Sequence, residues 1–218
     1  MIGCEKNPVG HPYFSSALGA SAIYKIDKLT TDGNEEIRHG WTNISVKRSK
    51  SRALVTRKSL NGRYYSYLLS EKGIYLAQGF TDIIPNGLRE TDFLMPSSLK
   101  LGDTWPTKIH TTTLQTSQSP WESTLKPLII IPIVNRVISL DEDISVSNKQ
   151  YKKCILIQGD GKKTVPLEHF IGDLEVRVLS KTWYSADIGI VKREVHEFTD
   201  SAIIKSGRTT MTLLSYVE

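Results

Sequence analysis

The sequence predicts a mainly β chain folded as a single curved antiparallel sheet, a β-roll or open half-barrel, with little helix. Three observations predict it. Short runs rich in β-branched and aromatic residues recur along the chain. Turn signals built on glycine, asparagine and aspartate fall between them. Within Leu174-Glu175-Val176-Arg177-Val178 apolar and charged side chains alternate, so one face is dry and the other wet, as in an antiparallel sheet with one solvated side.

Taken in order, Ile23 to Leu29, Ile37 to Lys47, Ala53 to Lys58, Tyr64 to Leu69 and Ile74 to Gln78 read as a meander of short strands. Asp32-Gly33-Asn34 and Asn61-Gly62 supply two-residue hairpin turns, because these residues tolerate positive φ. Glu71-Lys72-Gly73, Pro85-Asn86-Gly87, Asp160-Gly161 and Ser206-Gly207 read as further turns. In the second half, Trp105 to Leu114, Val134 to Leu140, Lys153 to Gln158, Leu174 to Tyr184, Ile190 to Phe198 and Thr209 to Val217 read as strands. Pro120 to Leu128 and Pro166 to Ile171 are the best places for a short helix or an irregular cover.

A length of 218 residues suits one β domain, with residues 1–12 as a tether and 13–218 as the folded unit. An internal echo divides that unit into a candidate repeat, 13–92 and 93–218. Leu18-Gly19-Ala20-Ser21-Ala22-Ile23-Tyr24-Lys25-Ile26 matches Leu101-Gly102-Asp103-Thr104-Trp105-Pro106-Thr107-Lys108-Ile109 as Leu-Gly-x-[Ser/Thr]-x-x-x-Lys-Ile. The glycines permit a tight turn as the chain enters a strand. With 39% hydrophobic and 23% charged residues the chain can bury a core. No apolar run reaches the 18 residues of a spanning helix. The net charge of +5 is spread out, densest at Lys47-Arg48-Ser49-Lys50-Ser51-Arg52, and favours solubility and weak attraction to anionic surfaces.

Two cysteines occur. Cys154 sits in an apolar β run, where cysteine packs as a small hydrophobe. Cys4 sits where packing cannot explain it. Met1-Ile2-Gly3-Cys4 resembles the end of a bacterial lipobox, which implies a lipid on Cys4 and attachment to a membrane. Glu5 then favours the outer over the inner membrane, and the polar, proline-rich residues 5–12 suit a short tether.

Phe93-Leu94-Met95-Pro96 leading into Leu99-Lys100-Leu101-Gly102-Asp103-Thr104-Trp105 resembles the "plkvGdtW" signature of a family of exported bacterial proteins with no agreed activity. Trp183-Tyr184 followed by Gly189-Ile190-Val191-Lys192-Arg193-Glu194 is similar to the family's later signature, and Tyr151 to Ile157 to a strand between them. Departures are Pro106, where a strand residue is usual, and Ala22, where the first copy would carry tryptophan. The resemblance implies a lipoprotein whose β-roll is similar to the open half-barrel of LolA/LolB-like lipoprotein carriers. It marks Gly19, Gly102, Trp105, Trp183 and Gly189 as structural positions.

The five histidines are scattered, so no zinc cluster and no metal site is expected. No Gly-x-Ser-x-Gly elbow is present. Gln158 to Lys163 lacks the spacing of a phosphate loop and reads as a hairpin turn. Asp141-Glu142-Asp143 reads as a solvated turn rather than a calcium loop. Tyr64, Tyr65 and Tyr67 near Arg57, Lys58 and Arg63 could stack bases, but tyrosine is frequent in strands for packing reasons, and no nucleic-acid partner is expected.

The expectation is a non-enzymatic lipoprotein of the Gram-negative periplasm, anchored to the outer membrane, without catalytic residues or cofactor, acting as a component of an envelope assembly. Leu128, Ile129, Ile130, Ile131 and Ile133 are the candidate contact with envelope proteins or an apolar ligand. The first alternative is a carrier holding a lipid or other apolar ligand in the concave face. The second is an envelope hydrolase, for which Glu168, His169 and Asp173 are the nearest grouping.

Overall fold

A computed structural model describes residues 10–30, 33–77, 93–116, 128–166, 172–202 and 204–218. The described residues contain strands and turns and no α-helix. The two segments expected as helix or cover, apart from their ends at Leu128 and Pro166, lie outside them, as do Cys4, Pro85-Asn86-Gly87, Glu168 and His169.

The first half is a meander of β1 (Ser21–Thr30), β2 (Gly33–Arg48), β3 (Arg52–Ser59), β4 (Tyr64–Ser70), β5 (Gly73–Ala77) and β6 (Phe93–Pro96). The second half contains β7 (Thr104–His110), β8 (Gln115–Thr116), β9 (Ile130–Val146), β10 (Lys149–Pro166), β11 (Asp173–Ser185), β12 (Gly189–Thr199), β13 (Ile204–Lys205) and β14 (Gly207–Val217). Twelve strands form one antiparallel sheet in the order β6-β5-β4-β3-β2-β1-β14-β12-β11-β10-β9-β7, while β8 and β13 pair separately. The join between halves is β1 against β14, which puts the start of the domain beside its end.

The sheet curls until it is nearly a closed barrel. Its two edge strands approach each other, and the Trp105 indole Nε1–H on β7 donates to the Leu94 carbonyl on β6 at 2.9 Å. Closure removes exposed edges, which otherwise invite pairing with other chains. One core cluster, with Val55, Leu69, Ile74, Trp105, Val137 and Ile155, spans both halves. A second, with Ile109, Ile131, Leu174, Val176 and Val178, packs between β7, β9 and β11.

The echoed turns share a geometry. Gly19 and Gly102 both have φ +86. The Gly19 amide donates to Asn43 O at 2.9 Å, and that of Gly102 to Val137 O at 3.0 Å. Asn43 N returns to Ala20 O at 2.8 Å, and Val137 N to Asp103 O at 3.0 Å. Each turn hooks its chain onto the neighbouring strand just before β1 or β7 begins.

Three expectations are corrected. Asp160-Gly161 is not a turn, because β10 runs straight through it. A Cβ on Gly161 would stand 2.1 Å from Pro132 O, and one on Gly159 2.8 Å from Asn135 Oδ1, so the glycines let β9 press close to β10. Asp141-Glu142-Asp143 lies inside β9 rather than in a turn, and Asp143 Oδ1 accepts the Lys153 amide at 3.2 Å beside a bulge. The β9–β10 reversal is instead Ser147-Asn148, with φ 49 and 64, the two positive values of a type I′ turn. Asn61-Gly62 does turn the chain, but in a wider loop closed by Ser59 N to Arg63 O at 2.8 Å.

Candidate functional site

Alternation along each strand sends every second side chain into the barrel. Tyr24 on β1, Trp41 on β2, Tyr67 on β4, Trp105 on β7 and Tyr184 on β11 converge there, with Ile133, Ile157 and Met211 between them. They line a cavity of about 400 Å³, within the range of small-molecule sites.

One end is stoppered by residues 10–20, the stretch leading into β1. Phe14 and Tyr13 of this plug also line the cavity. His11 Nε2–H donates to Pro96 O at 2.8 Å, and its Nδ1 accepts the Tyr13 amide at 3.2 Å. The Asp187 amide, in the turn before Gly189, donates to Pro12 O at 2.7 Å. Asn43 Nδ2 donates to Ser15 O at 3.1 Å and Ala17 O at 2.8 Å, and the Tyr216 hydroxyl donates to Ser15 Oγ at 2.9 Å. Burial pulls the His11 pKa below its usual value of 6.5, against the opposing effect of the Pro96 bond.

The charged groups facing the cavity, among the described residues, are cationic. Arg57 on β3 lies with its guanidinium carbon 3.7 Å from the Trp41 ring centre, 3.8 Å from Phe14 and 5.2 Å from Tyr67. Its Nε donates to Asn43 Oδ1 and its Nη2 to Ser15 O, both at 3.1 Å. Desolvation lowers its pKa from 12.5 to about 10. Arg193 on β12 lines the same cavity, and its Nε is buried without a hydrogen-bond partner among the described residues. His39 and the exposed Lys108 complete the basic groups; no aspartate or glutamate is among the described lining residues. The one fully buried carboxylate among the described residues, Glu197, accepts the Thr112 and Thr113 amides at 2.7 and 2.9 Å, outside the cavity lining. Burial likewise raises Tyr24, whose hydroxyl donates to Ile190 O at 3.1 Å, to about 12.

The fold has a counterpart among solved structures. A protein of Bacteroides fragilis described as exported and of YmcC-like fold matches with a TM-score of 0.52 and 11% identity, over 96% of this chain and 100% of that one. A protein of Parabacteroides distasonis described as a lipoprotein matches with a TM-score of 0.49 and 9% identity, over 95% and 99%. No family model matches the chain, and no curated protein matches it. The Bacteroides fragilis likeness is one of fold.

The isoleucine-rich segment is divided by the pleat. Ile129, Ile131 and Ile133 are buried, Ile133 at the cavity, whereas Leu128 and Ile130 are exposed. Trp183 is half-buried with Lys192 Nζ 5.2 Å from its ring, and Gly189 takes φ +99 opposite Tyr13 O. Cys154 is a buried free thiol whose pKa burial pushes up. Asp173 is exposed at the start of β11. Of the expected base-stacking group, Tyr64, Tyr65, Lys58 and Arg63 are exposed, while Arg57 and Tyr67 line the cavity. Among the described residues no group of three or more His, Cys, Asp or Glu could hold a metal ion.

No sequence signal singled out Phe14, Tyr24, His39, Tyr184 or Arg193 as lining a site, and Arg57 and Tyr67 were weighed there only as a base-stacking group and set aside. A usable signal was Ala53-x-Val55-x-Arg57, which puts the arginine on the apolar side of β3.

Proposed function

We propose that the chain is a non-enzymatic binding protein of the bacterial envelope, held at the periplasmic side of the outer membrane by a lipid on Cys4, that carries an amphiphilic ligand inside its barrel. The observation that carries this reading is the cavity, a space of about 400 Å³ walled by aromatic rings on five strands and stoppered at one end. Stable aromatic walls around unfilled space suit a ligand with an apolar body, because each ring offers a large face at little loss of freedom. Export is in keeping with the description of the Bacteroides fragilis protein that shares the fold. A carrier role accords with the resemblance of the sequence motifs to a family whose β-roll is similar to LolA/LolB-like lipoprotein carriers. A hydrolytic reading lacks a converging acid pair, since the cavity offers one histidine and no carboxylate among the described residues.

The test is to purify the protein gently from its own envelope and analyse it by native mass spectrometry. An additional non-covalent mass, released by organic solvent and rebinding to emptied protein, is expected; emptied protein that binds no fluorescent amphiphile ends the carrier reading. Mass spectrometry of the N-terminal peptide checks the lipid on Cys4.

A second reading, a docking component of an envelope assembly, is favoured by the outer face of β9. Ile130, Val134, Ile138 and Leu140 are exposed there at alternate or near-alternate positions. Val134→Lys with Ile138→Lys would abolish co-purification of an assembly while leaving ligand binding intact.

A further inference from the structure

We infer that the ligand carries an anionic group, a carboxylate, phosphate or sulfate, and that Arg57 and Arg193 hold it. This rests on the binding reading above and names the ligand class for that site.

The cavity brings together Arg57, Arg193, Lys108 and His39 and, among the described residues, no acid. Several cations outside the barrel have carboxylate partners: Arg177 bonds Asp160 at 2.8 Å, and Glu194 takes both Lys192 and Arg208. Among the described residues the two arginines of the cavity have none. Arg57 has its bonds to a neutral amide and a backbone carbonyl, which satisfy two of the five N–H donors of a guanidinium. The rings of Trp41 and Phe14 offer it attraction but no countercharge. Arg193 is on another strand, and its buried Nε has no hydrogen-bond partner among the described residues. A cation removed from water without an anion is costly, and so is a buried donor without an acceptor. An anion entering the cavity relieves both at once, and the guanidinium fork fits an oxyanion better than any other group. Lys108, exposed and still at the cavity, stands where an approaching anion would be drawn in. Tyr24, Tyr67 and Tyr184 then border the remainder of the ligand.

The full chain, stripped of any bound material, is titrated with a dansyl-labelled fatty acid, with its methyl ester and with a dansyl-labelled acidic monosaccharide. The fatty acid should bind at least about tenfold more tightly than its ester, the ratio that one charge-assisted hydrogen bond commands. Arg193→Gln should weaken the acid about tenfold and leave the ester unchanged. Arg57→Lys, checked for an intact near-ultraviolet spectrum, should weaken it as well. Preference for the saccharide over the fatty acid keeps the anion and changes the body. Equal affinity for acid and ester overturns the anion while leaving the carrier reading standing. Binding of none of the three probes overturns both. An acid preference untouched in Arg193→Gln and Arg57→Lys also overturns the assignment.

Discussion

Asn43 ties the plug, the barrel wall and the buried cation together through one side-chain amide. It is 1% exposed, and all its side-chain bonds are to groups with few other choices: Ser15 O, Ala17 O and Arg57 Nε. Asn43→Leu keeps the side chain's branched shape, at some added bulk, and leaves those groups without their partner. A buried polar group so stranded costs about 1–3 kcal/mol, so a loss of about 3 kcal/mol in denaturant unfolding is expected, with faster amide exchange in residues 14–20. A loss below about 0.5 kcal/mol, the usual range of surface changes, would show that these bonds do not matter. Why Arg57 was not assigned to the site from sequence alone is a related matter. Its alternation with Ala53 and Val55 points inward, yet it sits among Lys58, Arg63 and tyrosines that do face water. Which β2 residue stands opposite is set by a bulge between Asn43 and Ser45, and nothing local announces it. Cys154, by contrast, was legible, because a cysteine inside an apolar β run has few other places to go.

At the scale of elements, the strands were legible and several of their ends were not. Glycine marks both a turn and a close approach of two backbones, and only the neighbouring strand tells them apart. For Gly161 that neighbour is β9. Gly161→Ala would drive a methyl group to 2.1 Å from Pro132 O, a clash with backbone that cannot swing aside. Gly102→Ala meets open space and suffers only the positive φ, a penalty of about 1–2 kcal/mol. Thermal unfolding should therefore fall further for Gly161→Ala than for Gly102→Ala; the reverse order would contradict the close packing of β9 on β10. The plug makes a second prediction. In neutral His11, Nε2–H donates and Nδ1 accepts, so a proton on Nδ1 opposes the Tyr13 amide. The native imidazole resists protonation more than the unfolded one. Its contribution is thus complete above pH 6.5 and is lost progressively as pH falls from there toward the lower native pKa. His39, also lowered by burial, acts in the same sense. The protection factors of the amides in residues 12–20, which correct exchange for its intrinsic pH dependence, should fall between about pH 7.5 and about pH 5, and fall less in His11→Gln. An equal response in the two proteins would clear His11 of the effect.

For the whole molecule, the decisive feature is that one sheet of twelve strands almost closes and its seam lies between β6 and β7. A run of alternating strands announces a curved sheet, but not how far it curls; that depends on bulges, on the glycines under β9, and on what the two edges do when they meet. Here they meet at Trp105, whose ring sits in the core and whose Nε1–H reaches Leu94 O. Trp105→Phe preserves most of the ring's burial and removes the donor. The lost bond is worth about 1 kcal/mol, small enough to leave the fold intact. β6 is four residues long and pairs with β5 at only three positions, so it is poorly held on its other side. Loosening is therefore expected at the seam first, as faster exchange of the β6 amides with little change in β10 or β11. A ligand that passes through that seam will dissociate several-fold faster from Trp105→Phe at nearly unchanged melting temperature. One that passes by the plug will instead respond to Asn43→Leu, and stopped-flow displacement of a fluorescent amphiphile from the two variants separates the routes.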